Sequence, residues 1–287
     1  MQINDIKLSY TPIAFCESTR TPLPPSQGGL RGIDLPHAYK NRYMISPLTR
    51  LTRKLHQLLN NKPKNPPRVE RLYGEEKYLE AYRKHTDLRV DQDPKTAIGG
   101  MWEEIGLLQF DFLRAQGMQP QHKLLDIGCG TLRGGRHGIR YLNTGNYTGI
   151  DLSPKAIAAG QQLLETENLA DKHPRLLVNS KQNLKFEQFT GETFDYLLAQ
   201  SVFTHLKPEH IQECFAYVGD IMDDQSIFFF TYQSALKYTQ TNLKDFRYPK
   251  SFFESLATQH GFQLSDYAAQ YAHPRNQLML GIQKIQR

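Results

Sequence analysis

The sequence predicts an α/β fold in which a seven-stranded, mostly parallel sheet has helices on both faces and a C-terminal antiparallel strand pair. From about residue 95, strand-like and helical segments alternate strictly, as they do when helices connect parallel strands. The last two strand-like runs follow one another without a helix, which favours an antiparallel pair at one edge. With 39% hydrophobic residues in a chain of 287, there is enough apolar material for a core of this size.

Each element is predicted from its local pattern. Residues 103–116 carry apolar residues at helical spacing, and Gly117 follows as a typical residue after a helix end. Another helix is predicted from Ser153 as N-cap and Pro154 at the first helical position to Leu164. Apolar runs predict seven strands at residues 123–126, 147–151, 175–178, 194–199, 226–232, 262–267 and 277–282.

The chain divides into three parts by composition. Residues 1–67 form a proline-rich, basic N-terminal arm, which contains nine of the sixteen prolines. Within it, residues 47–59 have leucines at helical spacing with basic residues opposite. This helix either binds a membrane surface or an anionic partner, or packs against the domain behind it, and the second interpretation is favoured. Residues 68–94 are predicted as a linker or helical lead-in, and residues 95–287 as the α/β domain.

The charge distribution argues against a nucleic-acid substrate. Residues 1–90 hold 16 Lys and Arg against 8 Asp and Glu, whereas residues 91–287 hold 19 against 21, so the net charge of +6 comes from the front of the chain. Three well-separated cysteines give neither a disulfide framework nor a zinc pattern, and no metal site is predicted. No apolar run is long enough to cross a membrane and no secretory signal is present, so we expect a soluble, cytoplasmic protein.

A glycine-containing loop follows the first predicted strand, in Asp126-Ile-Gly-Cys-Gly130. Its glycines allow a tight turn and the close approach of a ligand at the carboxyl end of the strand. Asp151 ends the second strand, where an acidic side chain is placed to accept hydrogen bonds from ribose hydroxyls. A dinucleotide fingerprint would require a third glycine at position 133, which is Arg133. The loop therefore favours a different nucleotide-like cofactor.

These motifs resemble those of class I S-adenosylmethionine-dependent methyltransferases, whose first loop reads acidic-x-Gly-x-Gly. The resemblance extends to Gly149-Ile-Asp-Leu-Ser-Pro154, to residues 194–206 and to the C-terminal strand pair, and covers about residues 95–287. The continuation Asp-Ile-Gly-Cys-Gly-x-Leu-Arg-Gly-Gly is similar to a bacterial subset of that family. The resemblance implies a Rossmann-like fold, S-adenosyl-L-methionine as cofactor and methyl transfer as the activity.

The resemblance also implies roles for individual residues. The side chain of Asp126 and the backbone of the glycine loop would hold the methionine and ribose portions, while Leu152 would pack on the adenine. Ser180 departs from the acidic residue that is commoner at its position, Arg133 would pair with a carboxylate or lie on the helix surface, and Trp102 would cap the pocket or belong to the core. The full set of implied cofactor contacts is Trp102, Asp126, Gly128, Cys129, Gly130, Arg133, Asp151, Leu152, Asn179, Ser180, Gln200, Ser201 and Val202.

The acceptor is predicted to be a small molecule methylated at oxygen, such as a saccharide or a secondary metabolite. Enzymes that methylate exocyclic base amines carry an Asn/Asp-Pro-Pro-aromatic signature after the fourth strand, and residues 199–202 do not match it. A hydroxyl acceptor requires a base, for which His205 is the first candidate and His273 the second, with Arg275 able to bind an anionic substrate. The alternative is a non-catalytic module that binds S-adenosylmethionine and whose basic arm recruits a partner.

Overall fold

Helices precede the sheet in the computed structural model, which describes residues 67–286. The first of them are α1 (Pro67–Glu75), α2 (Tyr78–Val90), the short α3 (Pro94–Ala97) and α4 (Trp102–Ala115). Helix α4 agrees within one residue at each end with the predicted helix over residues 103–116. The N-terminal arm and its predicted helix at residues 47–59 lie outside the described residues, so both stay predictions.

The predicted seven-stranded sheet is confirmed. Its strands lie in the order β3, β2, β1, β4, β5, β9, β8. The first five strands pair in parallel, and β9 pairs antiparallel with both β5 and β8. The strands are β1 (Leu124–Ile127), β2 (Tyr147–Asp151), β3 (Arg175–Val178), β4 (Tyr196–Ala199), β5 (Ile227–Tyr232), β8 (Phe262–Asp266) and β9 (Leu278–Lys284). The remaining helices are α5 (Gly135–Tyr141), α6 (Pro154–Thr166), α7 (Pro208–Tyr217) and α8 (Lys250–Gln259).

Strand β5 shows how the sheet is buried on both faces. Phe228, Phe229 and Phe230 are all fully buried, although successive side chains of a strand point to opposite faces. Phe230 packs against Phe253 of α8 at 5.2 Å between ring centroids, whereas Phe229 packs against Phe112 of α4 at 5.0 Å. An apolar run without alternation is therefore explained by a central strand covered by helices on both sides.

Helix α2 is fixed to the sheet domain by two hydrogen bonds far apart in sequence. The Ser153 hydroxyl caps α6 by accepting from the Ala156 amide at 3.0 Å, as its sequence position predicts. The same hydroxyl donates to Asp87 of α2 at 2.5 Å. The Tyr78 hydroxyl, also on α2, donates to the carbonyl oxygen of His205 at 2.6 Å. The predicted lead-in segment is thus helical and contacts the carboxyl edge of the sheet.

A small two-stranded ribbon is inserted between β5 and α8, and the sequence patterns did not reveal it. It consists of β6 (Thr239–Gln240) and β7 (Phe246–Arg247), paired antiparallel. Phe246 is fully buried and contacts the Tyr78 ring at 5.6 Å, which holds the ribbon against α2. The insertion therefore brings the turn over residues 241–245 to the edge of the sheet where the candidate site lies.

Candidate active site

A cavity of about 990 Å³ opens at the carboxyl ends of the parallel strands. This is the usual ligand position in an open α/β sheet, because the loops after neighbouring strands meet there. The floor is made by residues after β1, β2, β3 and β4, and the walls by α2, the loop over residues 96–100, the turn of the ribbon and the loop before β9. Segments from nearly the whole described chain thus form one site.

The loop after β1 requires glycine at two positions. Gly128 has φ +71° and Gly130 has φ +57°, a backbone region that other residues rarely adopt. A Cβ atom on Gly128 would lie 2.5 Å from the Val202 side chain, and one on Gly130 would lie 2.8 Å from Ile98. The two glycines therefore keep the loop both tightly turned and free of side chains on the cavity floor.

Asp151 lies at the end of β2 and organises the same loop. One of its carboxylate oxygens accepts from the Gly130 amide at 3.0 Å, and the other accepts from the Ser153 amide at 2.8 Å. Each oxygen keeps a further lone pair, so the carboxylate can still accept from ligand hydroxyls. Burial raises the pKa of Asp151 above its ordinary value, although these two amides oppose the shift.

Asp126 lies at the cavity floor in β1 and is buried. Burial raises its pKa to about 6, although the Tyr147 hydroxyl opposes the shift by donating to the carboxylate at 2.7 Å. A buried carboxylate with one neutral partner is a costly arrangement, and such arrangements are frequent at functional sites.

A polar network lies after β4 and β5. The side-chain oxygen of Gln277 accepts from Thr231 at 2.7 Å and from Ser201 at 3.0 Å. Tyr271 donates its hydroxyl to the side-chain oxygen of Gln200 at 2.7 Å. The Gln277 oxygen is occupied by the Thr231 and Ser201 hydroxyls. The group that Gln277 offers to the cavity is therefore its amide NH2, which can only donate.

Arg133 is buried and holds the loop over residues 98–100. Its guanidinium donates to the carbonyl oxygens of Ile98 at 3.1 Å and Gly100 at 2.9 Å. Its Nε is buried without a hydrogen-bond partner in the described part of the chain. Burial lowers the pKa of Arg133 to about 10, which still leaves it cationic at neutral pH. Of the two positions expected for Arg133, the structure shows a cavity-lining side chain and not a surface one.

His205 is paired with Asp245 from the ribbon. The imidazole Nδ1 lies 3.0 Å from the Asp245 carboxylate and 2.9 Å from the carbonyl oxygen of Lys244. Both neighbours are acceptors, so Nδ1 carries the hydrogen and Nε2 is left as the basic nitrogen. Burial lowers the pKa of His205 below its ordinary value although Asp245 raises it, so the imidazole is neutral at pH 7.

Most of the predicted site residues line this cavity, but three do not. Trp102 lies outside the lining, with Lys95 and Arg136 over its ring at 5.5 and 5.4 Å. Ser180 is also outside the lining. His273 is buried beside the Tyr271 ring and lies outside the lining too. The predicted residues that the cavity brings together are Asp126, Gly128, Cys129, Gly130, Arg133, Asp151, Leu152, Asn179, Gln200, Ser201, Val202 and His205.

The sequence patterns missed the residues that come from the walls. Tyr82 and Arg89 of α2, Lys244 and Asp245 of the ribbon, and Gln277 before β9 all line the cavity. The two residues of α2 share one face, since positions seven apart lie two turns apart on a helix. The only sequence signal for these residues is that polar side chains stand close to aromatic ones. That signal predicts no site, because the tertiary contacts that bring the segments together cannot be inferred from it.

The described part of the chain contains neither a membrane-spanning helix nor a metal-binding cluster. No helix within residues 67–286 has the length and apolar composition of a membrane span. Over the same range, no three His, Cys, Asp or Glu side chains are arranged to hold a metal ion.

Comparison with known proteins relates this site to one enzyme class. Residues 125–228 match a family model described as a methyltransferase domain. The chain is 14% identical to magnesium protoporphyrin IX methyltransferase from Synechocystis with bound S-adenosylmethionine, at a TM-score of 0.55 over 73% of this chain and 98% of that one. It is also 14% identical, at a TM-score of 0.55, to a Haemonchus contortus phosphoethanolamine N-methyltransferase in complex with phosphomonomethylethanolamine and S-adenosylhomocysteine, over 71% and 61% of the two chains. A third similar structure, a Leishmania major S-adenosylmethionine-dependent methyltransferase, is 12% identical at a TM-score of 0.55, over 74% and 85%. The family-model match is confined to residues 125–228, and the fold of the chain is the Rossmann-like fold of these structures.

Proposed function

We propose that this methyltransferase transfers a methyl group from S-adenosyl-L-methionine to a hydroxyl oxygen of a small molecule, with His205 as the base. The observation that carries the proposal is the hydrogen-bonded pair of His205 and Asp245 in the wall of the same cavity as Asp151 and the glycine loop. A base held in one tautomer beside a cofactor site is what deprotonation of an acceptor requires.

The cavity residues fit the cofactor. S-adenosylmethionine supplies, when bound, an electrophilic methyl group on a sulfonium sulfur. Gly128 and Gly130 leave space on the cavity floor that any side chain would fill. The free lone pairs of Asp151 suit ribose hydroxyls, and the unpaired Nε of Arg133 suits the carboxylate of the methionine portion.

The chain's own residues would act as follows. Nε2 of His205 would accept the proton of the acceptor hydroxyl, whose oxygen would take the methyl group as the carbon–sulfur bond of the sulfonium breaks to leave a thioether. The Asp245 carboxylate keeps Nδ1–H oriented and stabilises the imidazolium cation that results. No covalent enzyme intermediate is needed, so the remaining task of the cavity is to hold the reactants in line and exclude water.

The alternative of a non-catalytic module that binds S-adenosylmethionine leaves the His205–Asp245 pair without a role. Its basic arm lies outside the described residues.

The first experiment tests the cofactor site by calorimetry. The chain should bind S-adenosylmethionine and S-adenosylhomocysteine but not NADH. Asp151→Ala should weaken binding by about 1–3 kcal/mol, because hydrogen bonds to a charged group are lost. Asp171→Ala, which removes an exposed carboxylate, is the matched control. Tight NADH binding without a signal for S-adenosylmethionine would refute the cofactor assignment.

The second experiment tests the base by measuring S-adenosylhomocysteine release over a panel of hydroxyl and amine acceptors. His205→Ala should lower turnover roughly 10²–10⁴-fold, the usual contribution of a general base, with little change in cofactor affinity. His260→Ala, outside the cavity lining, is the control. Methylation at nitrogen in the isolated product, or full activity of the variant, would exclude the proposed chemistry.

A further inference from the structure

Three cationic side chains from three different segments line the cavity on the side of His205. Arg89 comes from α2, Lys244 from the turn of the ribbon, and Arg275 from the loop before β9. Arg89 donates to the carbonyl oxygen of Thr96 at 2.7 Å, and Arg275 donates to that of Gly99. Each arginine is thus oriented by a single backbone carbonyl and keeps further N–H donors.

Lys244 connects these cations to the catalytic pair. Its ammonium lies 5.5 Å from the centre of the Tyr82 ring, and the same ring lies 5.5 Å from that of His205. Its carbonyl oxygen contacts Nδ1 of His205 at 2.9 Å. Burial lowers the pKa of Lys244 to about 8, and the positive charges of Arg89 and Arg275 add to this shift. The two arginines bind carbonyl oxygens only three residues apart, those of Thr96 and Gly99, and all three cations line the same cavity.

The cluster lacks a matching negative charge. Within residues 67–286, no carboxylate lies within 4.0 Å of these three cations. Asp245 and Glu104 are the nearby acids, and Asp245 is engaged by His205 and Asn242. By contrast, Arg83 on the same helix α2 is paired with Glu80 and Asp87.

We infer that Arg89, Lys244 and Arg275 form an anion-binding subsite, and that the methyl acceptor carries a phosphate, sulfate or carboxylate group beside its reacting hydroxyl. This inference rests on the proposed function for the identity of the reaction, but the subsite itself is independent of it. Positive groups that are held together in a cavity repel one another, and an anionic ligand removes that repulsion and forms charge-assisted hydrogen bonds. The anchored group would bring the neighbouring hydroxyl to His205.

The cofactor's own carboxylate is the competing occupant of this subsite. The structure offers that carboxylate a separate partner in Arg133, which is buried behind the loop over residues 98–100 next to the glycine loop. Lys244 instead lies beside the catalytic pair, where the acceptor must bind. Arg275 contacts Gly99 of that same loop, so Lys244 is the cation that distinguishes the acceptor position from the position of Arg133.

The subsite is tested by titrating inorganic phosphate into the full chain at low salt, with and without saturating S-adenosylhomocysteine, followed by calorimetry and ³¹P NMR. The wild-type chain should bind phosphate, and Lys244→Met and Arg89→Gln should each weaken this binding about tenfold or more, as the loss of a charge-assisted contact predicts. Lys244→Arg should retain it. Lys237→Met is the matched control, because this exposed lysine is on the same insertion but outside the cavity lining. Sulfate and acetate titrations then rank the three anionic groups.

The outcomes separate the anion subsite from the methyltransferase proposal. Phosphate binding that is lost in the variants while affinity for S-adenosylhomocysteine is unchanged supports the subsite. Absence of phosphate binding in a folded wild-type chain, or binding that the variants do not alter, overturns it. A tenfold loss of S-adenosylhomocysteine affinity in the variants would assign the cations to the cofactor and also overturn it. A wild-type chain that binds phosphate but no S-adenosylhomocysteine would instead refute the proposed function alone.

Discussion

At the scale of single residues, Asp126 carries a buried carboxylate whose ionisation opposes folding at neutral pH. Its carboxylate is buried in β1 with the Tyr147 hydroxyl as its hydrogen-bond partner. Burial raises its pKa from 3.8 to about 6, so the folded chain holds this proton more tightly than the unfolded chain does. Stability therefore falls as the pH rises from about 4 to about 6, and the cost at pH 7 is roughly 3 kcal/mol.

Replacing this carboxylate should stabilise the free chain. Asp126→Asn keeps an oxygen for the Tyr147 hydroxyl but removes the buried charge, so we expect the free energy of unfolding at pH 7 to rise by about 1–3 kcal/mol. The gain should vanish below about pH 4, and affinity for S-adenosylmethionine should fall. Urea unfolding at several pH values measures the first effect and calorimetry the second. Asp171→Asn, at an exposed position, should change neither, and a destabilised Asp126→Asn chain would show that the Tyr147 hydrogen bond outweighs the charge.

At the scale of elements, the ribbon between β5 and α8 supplies a carboxylate that the loops of the sheet do not provide. The strand ends provide Asp151 and His205, but the carboxylate that orients His205 comes from the turn between β6 and β7. Burial opposes ionisation of Asp245, yet its hydrogen bonds with His205 and Asn242 lower its pKa to about 2. Asp245 is therefore ionised at every pH at which the enzyme would be assayed.

The pH dependence of turnover tests this pairing. Wild-type turnover should fall as the pH drops through the pKa of His205, which burial places below 6.5. Asp245→Asn should lower kcat roughly 10- to 100-fold and move this acidic limb to still lower pH, because the carboxylate that stabilises the imidazolium is gone. Asp224→Asn, an exposed change away from the cavity, should leave the profile unaltered. If kcat falls but the acidic limb of the pH profile stays at the wild-type pH, Asp245 has only a structural role.

The elements also show what the sequence could and could not predict. The seven strands were predicted within about two residues at each end, because apolar runs between turn residues are a local signal. The ribbon strands have two residues each, too few for any periodicity, so Asp245 was missed although its partner His205 was found. The cavity contacts of Tyr82 and Arg89 were missed for a related reason, since every residue of this helix is buried or half-buried and a tertiary contact adds no periodic pattern to it.

At the scale of the whole molecule, the sheet provides the floor of the cavity and the N-terminal helices provide a wall. The contacts between them include the hydrogen bonds of Ser153 with Asp87, of Tyr78 with the backbone of His205 and of Gln182 with Glu80. Val69 of α1 and Ala81 of α2 are buried, so these helices also contribute apolar packing. These helices therefore pack against the sheet domain and also line the cavity.

Two truncations separate this wall from the N-terminal arm. A chain that starts near residue 68 should stay soluble and bind S-adenosylmethionine as tightly as the full chain, because residues 1–64 have the composition of an appended arm. A chain that starts at residue 95 loses Leu79, Tyr82 and the partner of Ser153, so it should bind the cofactor weakly and unfold at a lower temperature. Thermal melts with and without S-adenosylmethionine measure both effects. If the chain from residue 68 unfolds or aggregates, the helix predicted at residues 47–59 belongs to the core, and the boundary of the domain lies further towards the N-terminus.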